Sequence, residues 1–265
     1  MPAPVLPKLR RGERVLASTN SHKREPLLPA LEVFGRLGLQ DIDLNLHHIL
    51  EKGETVGDIQ AAAAAHGLRF WVVSGGWCDF YHRAPQVDET FRSVARQVSV
   101  AEALGVDYLR LFFGRLRSED YSPAVRDTLC ANLTRLSDAH PHITFVFENH
   151  DGASLVPAVS FEVLDCVSRR NIRMNFDPIN FAKAGVDPLA ALDTVRPFVS
   201  HVHLKGLDNG EYCEFGEGDV DLEPVLKSLL SGRYGGRFTV EYEGPADGTL
   251  RLYRSVQRAR AALHD

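Results

Sequence analysis

The sequence predicts a single-domain α/β protein, a (β/α)8 TIM barrel, on three observations. Apolar β-rich runs alternate with segments of helical period along the whole chain, the pattern of parallel βαβ units. Eight such strand–helix units can be counted in 265 residues, about the length from which a closed (β/α)8 barrel is built. The competing open, doubly wound sheet usually places a Gly-rich phosphate turn after an early strand. Here Ser18-Thr-Asn-Ser-His-Lys23 has neither a GxGxxG nor a Walker pattern.

Taken in order, the first strand covers residues 14–19, and the amphipathic stretch 25–37 after it is closed by Gly38. The second, 42–46, leads through Gly53 and Gly57 to a helix over 58–66, where Gly67 supplies the left-handed residue that ends a helix. Strand 69–73 precedes a long helix over 88–104, with Asp88 as its N-cap ahead of Glu89. Strands 108–113, 143–147, 172–176, 199–204 and 238–242 follow, with helices at 123–139, 160–168, 188–198, 222–230 and 249–263. Asp221, before Leu222-Glu-Pro224, reads as another N-cap. Residues 1–13 form a Pro-rich lead-in without a continuous apolar run, and 14–265 form the barrel, since no composition shift marks a second domain.

Composition narrows the function classes. With 44% hydrophobic and 25% charged residues, 21 Gly and 14 Pro, the chain can bury a sizeable core and is neither disordered nor collagen-like. Thirty basic against 35 acidic side chains give a net charge of −5, which disfavours a partner bound by neutralising phosphates, so no nucleic acid is expected. No stretch approaches the roughly 18 apolar residues of a membrane span. The cysteines Cys78, Cys130, Cys166 and Cys213 lie far apart without CxxC spacing, so they are expected as small buried apolar residues in a reducing, cytoplasmic setting.

In this fold an active site is assembled at the carboxyl ends of the strands. The fifth strand ends Phe145-Val-Phe-Glu148-Asn-His150, the sixth Asn175-Phe-Asp177-Pro-Ile-Asn180, the seventh His201-Val-His203-Leu-Lys205 and the eighth Val240-Glu241-Tyr-Glu243. Strand side chains two apart share a face, so Glu148 projects with His150, Asn175 with Asp177, His201 with His203 and Glu241 with Glu243. These four strand ends then offer a Glu, an Asp, a His and another Glu, three oxygen donors and one imidazole, to one divalent metal ion. Such a set suits Mn, Mg or Co at least as well as Zn. Singly each has a plainer reading: a solvated or salt-bridged glutamate, Asp177 before Pro178 starting a turn, His201 structural beneath His203. Together they would crowd like charges unless a cation or bound protons offset them.

At these residues the chain resembles the xylose-isomerase-like superfamily of sugar isomerases, epimerases and related apurinic endonucleases, most closely ketose 3-epimerases and inosose isomerases or dehydratases. The specific part runs from Phe145 to Gly244: FVFENHDG, MNFDPIN, HVHLKG and TVEYEG place Glu148, Asp177, His203 and Glu241 at the family's ligand positions, and Gly216-Glu-Gly-Asp-Val-Asp221 is similar to its GxGxxD segment. Departures matter. Val73-Ser-Gly-Gly-Trp77 and Leu111-Phe-Phe-Gly-Arg115 lack the histidines of the three-zinc endonuclease branch, Asn180 stands where that branch has histidine, and Gly206 replaces the aspartate that often follows the H-L-K segment.

The resemblance therefore implies a metal-dependent isomerase or epimerase of a sugar or keto-polyol, acting by proton abstraction next to a carbonyl through an enediolate, with Glu148 and Glu241 as the catalytic carboxylate pair. A lyase using the same groups, by dehydration or β-elimination, is the alternative; a non-catalytic carbohydrate-binding subunit is a third. Enzymes of this kind are commonly dimers or tetramers. His150, Asn180, Lys205 and Arg115 are candidate substrate contacts, and the aromatic segment Trp77, Phe80, Tyr81 and His82 could cover a sugar ring, Trp77 and Tyr81 above all. No phosphate cradle is evident.

Overall fold

The computed structural model describes residues 14–245 and 248–263, so the lead-in at 1–13 lies outside the described residues. From the start, β1 (Val15–Ser18), α1 (Leu27–Arg36), β2 (Asp41–Asn45), the one-turn α2 (His47–Leu50), α3 (Val56–His66) and β3 (Arg69–Trp77) follow one another. Next come α4 (Gln86–Leu104), β4 (Tyr108–Phe112), α5 (Pro123–Ala139), β5 (Thr144–Glu148), α6 (Pro157–Val167), β6 (Ile172–Phe176), α7 (Pro178–Lys183), α8 (Pro188–Val195) and β7 (Val199–Leu204). A hairpin of β8 (Gly206–Asp208) and β9 (Glu211–Cys213) precedes α9 (Glu223–Ser231), β10 (Arg237–Val240) and α10 (Gly248–Ala262). Eight strands close into a barrel in the order β1-β10-β7-β6-β5-β4-β3-β2, which makes β10 the eighth barrel stave.

Two compact units divide the chain, residues 14–74 with 202–263 and residues 75–201. In the first, β1 pairs in parallel with β10 (Val15↔Phe238) and with β2 (Ala17↔Ile42). Helix α1 turns Leu27, Ala30, Leu31 and Phe34 inward, the i, i+3, i+4, i+7 stripe of a helix with one apolar face. It meets α3 closely at Gly35, where a Cβ would lie 2.7 Å from Cβ of His66. The β2–β3 register slips between Ile42 and Asp43: Ile42 pairs with Phe70 but Asp43 with Val72, so β3 holds one extra residue there. Such a bulge re-aims the side chains beyond it. The hairpin turns on Asn209 and Gly210, both at positive φ (49° and 81°), as a two-residue turn requires. Behind it the buried Glu214 is held by Arg251 (3.3 Å) and Arg258 (3.0 Å) of α10, with Arg254 at 3.7 Å.

In the unit 75–201, β4, β5 and β6 run in register (Tyr108↔Thr144, Phe145↔Ile172), and Leu109, Leu111, Phe145, Phe147, Met174 and Phe176 are buried on them. Helices α5 and α6 lie side by side and are joined by a disulfide between Cys130 and Cys166, whose Cα atoms are 6.0 Å apart. This corrects the expectation of four unpaired cysteines; sequence spacing does not reveal which two helix faces meet. Two caps also differ from expectation. Helix α4 starts two residues before Asp88, which sits in its first turn, and Leu222 is the cap position of α9, with Asp221 Oδ1 accepting the N–H of Glu223 (2.9 Å) from one residue earlier. Among the described residues no helix is long and apolar enough to cross a membrane.

Candidate metal and catalytic site

Glu148, the last residue of β5, is 2% exposed and both of its oxygens are engaged. Oε1 accepts from Asn180 Nδ2 (3.0 Å) and lies 3.3 Å from His150 Nδ1; Oε2 accepts from Asn175 Nδ2 (3.1 Å) and faces Arg110 Nε at 3.3 Å. Arg110, 3% exposed on β4, donates to the carbonyl of Gly75 (2.9 Å) and lies 4.2 Å over the ring of Phe112. A buried carboxylate with a guanidinium and two amides around it is held in place.

One residue past β6, Asp177 is the N-cap of α7. Its Oδ1 accepts the N–H groups of Ile179 and Asn180, both at 2.9 Å, with Pro178 as the first helical residue. The Asn149 side chain clamps the Asp177 backbone, donating to its carbonyl and accepting from its N–H, both at 2.8 Å. Asp177 thus caps a helix rather than starting a turn, and the cap fixes the direction of its carboxylate.

In the other unit, Glu241 directly follows β10 and is 2% exposed. Ser18 Oγ donates to its Oε1 (3.1 Å), while His203 Nδ1 lies 3.4 Å and Lys205 Nζ 3.9 Å from its Oε2. Fully buried Lys205 donates to Glu243 (2.8 Å) and sits 4.7 Å over the ring of Tyr212. His203, also fully buried, has its Nε2 3.6 Å from Asp43 Oδ2. The loop after the hairpin lines a cavity of about 950 Å³ that Lys205 and Arg258 also border.

In the unit 75–201, Glu148 and Asp177 are two buried carboxylates at the ends of consecutive strands; in the other unit, buried His203 lies 3.6 Å from Asp43 and 3.4 Å from Glu241. Buried carboxylates and imidazoles are donors that suit a divalent cation, and in each unit such an ion would offset the like charges that burial brings together.

The remaining expected contacts fall in different places. His150 is half-buried and packs against Phe112 (4.5 Å) and Trp77 (5.5 Å), which themselves stack at 4.6 Å; Trp77 ends β3 rather than standing in a loop. Arg115 is exposed, its guanidinium 5.3 Å over Trp77. Phe80 is buried against Phe91 and Phe147, a packing role. Tyr81 is half-buried beside His82 (4.2 Å), its hydroxyl pushed up in pKa by burial and by Asp79. The Asn180 amide is engaged by Glu148 and by the carbonyl of Asn149 (3.0 Å). Arg110, Asn149, Ser18 and Asp43 were not singled out by the sequence. The x-N-x of Glu148-Asn149-His150 is the one signal that could have pointed to Asn149.

A closed parallel barrel that gathers buried carboxylates and imidazoles at its strand ends places its polar groups where barrel enzymes keep their sites. The chain belongs to the xylose isomerase-like TIM barrel family, whose model matches residues 35–262. It is 22% identical over 236 residues to the inosose dehydratase of Clostridium perfringens (strain 13 / Type A), covering 72% of this chain and 78% of that protein. It is 22% identical over 134 residues to the 3-dehydroshikimate dehydratase of Bacillus anthracis, 49% of this chain and about half (48%) of that relative's length. A crystal structure of the IOLI protein with a bound zinc atom is similar in fold, with a TM-score of 0.77 at 18% identity over 94% of this chain and 96% of that one.

Proposed function

We propose that this protein is a metal-dependent isomerase or epimerase of a small sugar or keto-polyol that removes a proton next to a carbonyl. The observation that supports this best is a pair of buried carboxylates, Glu148 and Glu241, each ending or following a different barrel strand and each held by donors. Glu148, Asp177, His203 and Glu241 would hold the ion. When bound, a divalent cation polarises a carbonyl and a neighbouring hydroxyl and stabilises the negative charge left by proton removal. Glu148 takes the proton on Oε1, the oxygen beside His150, while Arg110 Nε faces the other oxygen at 3.3 Å. Glu241, protonated from solvent while Glu148 gives its proton up to solvent, delivers that proton to the adjacent carbon or to the other face of the same one, and Lys205, beside it, holds a substrate oxygen. Trp77, Phe112 and His150 exclude water from one wall of the site.

A second reading is favoured by the two relatives named above, both called dehydratases. If a β-hydroxyl leaves after proton removal, with His150 as its acid, the same groups perform a dehydration.

The test is incubation of Mn-, Mg-, Co- or Zn-loaded protein with a panel of keto-polyols in heavy water. Solvent deuterium at one carbon with no other change of mass supports isomerisation or epimerisation, and loss of water supports the dehydratase. Glu148→Gln and Glu241→Gln should each lower turnover by about 10²–10⁴-fold while circular dichroism stays unchanged. Absence of both exchange and elimination with every metal overturns the proposal.

A further inference from the structure

Asp43 has no part in the reaction proposed above, yet it is a carboxylate with 0% exposure in the middle of β2. Burying a charge that far costs several kcal/mol unless partners surround it. Ser74 Oγ donates to its Oδ1 at 2.7 Å and Thr239 Oγ1 to its Oδ2 at 3.0 Å, so both oxygens are oriented by hydroxyls from β3 and β10. Thus oriented, Oδ2 stands 3.6 Å from Nε2 of His203. The other ring nitrogen, Nδ1, stands 3.4 Å from Glu241. The imidazole therefore lies between two carboxylates, while a neutral ring has only one N–H to give.

We infer that Asp43 is a positioning residue that holds His203 as the Nε2–H tautomer, so that Nδ1 presents its lone pair on the side of Glu241. If Glu241 and His203 ligate the same cation, both must offer lone pairs there, and the ring proton must lie on the opposite nitrogen, the one that faces Asp43 Oδ2 at 3.6 Å. A carboxylate behind a ligating histidine fixes ring direction and raises its donor strength. The β2–β3 bulge contributes, because it brings Ser74, rather than Val73, to the same side as Asp43. This inference rests on the metal-dependent reading of the site.

The experiment measures divalent-ion affinity by titration calorimetry, with Mn and Zn as probes, on the metal-free 265-residue chain, alongside ¹⁵N-histidine spectra. Asp43→Asn should weaken binding by about 10–100-fold and abolish the Nε2–H signature of His203, with far-UV circular dichroism unchanged. Ser74→Ala and Thr239→Val, which keep the carboxylate but release it, should each weaken binding a few-fold, and they serve if Asp43→Asn does not fold. His201→Gln should leave affinity as it is. An unchanged affinity in Asp43→Asn, Ser74→Ala and Thr239→Val, with loss of thermal stability alone, overturns the inference and leaves the reaction standing. A loss in His201→Gln equal to that in Asp43→Asn also overturns it, because Asp43 would then ligate the ion together with His201. Wild-type protein that takes up neither ion overturns the metal-dependent reading and this inference with it.

Discussion

Arg110 and Glu148 depend on each other, since both are almost fully buried and 3.3 Å apart. Removing one charge leaves the other in a low-dielectric interior, a change that typically costs 3–5 kcal/mol. Arg110→Met is therefore expected to destabilise the protein by about 3–5 kcal/mol in guanidinium unfolding. Arg115→Met, on an exposed side chain, should stay within about 0.5 kcal/mol. Equal effects from the two would show that Arg110 is not a buried partner of Glu148. The sequence made Arg115 conspicuous and left Arg110 unmarked. Arg115 follows the fourth strand, where site residues are expected, whereas Arg110 lies inside Tyr-Leu-Arg-Leu-Phe with no motif around it. Its role depends on the β4–β5 register that sets Phe112 beside Glu148, and pairing between strands is not written in the spacing of either one. The candidate acids and histidines were conspicuous because they cluster in short motifs near strand ends; Asp43 and Ser18 stand in no motif, and their contacts are with residues far along the chain.

Among the elements, the Cys130–Cys166 link between α5 and α6 has the largest expected effect. Closing a loop of 36 residues removes chain entropy from the unfolded state equivalent to about 4 kcal/mol at most. A reducing agent should lower the guanidinium midpoint of the wild-type protein, and Cys130→Ser should be as unstable as the reduced protein and insensitive to reductant. A wild-type midpoint unmoved by reductant would contradict the link. Helix and strand positions were readable to within a few residues, because apolar period and punctuating glycines act locally. The hairpin β8–β9 was missed although Asp208-Asn209-Gly210-Glu211 is a two-residue turn signal. Its strands are three residues each, too short for an alternating pattern to register.

At the scale of the molecule, stability against acid is tied to histidines away from the candidate site, His22 and His48 among them. His22 packs edge-on against Phe34 with Nε2 2.7 Å from Thr249 Oγ1, and His48 lies beside the carbonyl of Thr19. Burial holds both below the ordinary histidine value of 6.5, outweighing nearby Glu25 for His22 and Thr19 and Glu54 for His48. The unfolded chain then binds more protons than the folded one as pH falls below about 6.5, so stability is full above that pH and declines towards the depressed folded values. Each histidine adds at most about 1.4 kcal/mol per pH unit in that window. Melting temperatures between pH 7.5 and 5.5 should fall less steeply in His22→Gln and His48→Gln than in wild type; parallel slopes would refute the assignment. The barrel itself was foreseen from the count of alternating units, a global property that local errors at caps do not disturb. Its closure has a further consequence for behaviour in a crowded solution. A ring of strands offers no free hydrogen-bonding margin on which a second chain could template itself. Among the described residues such a margin survives at the β8–β9 hairpin, where brevity and the acidic pair Asp208 and Glu211 make it a poor seed for aggregation.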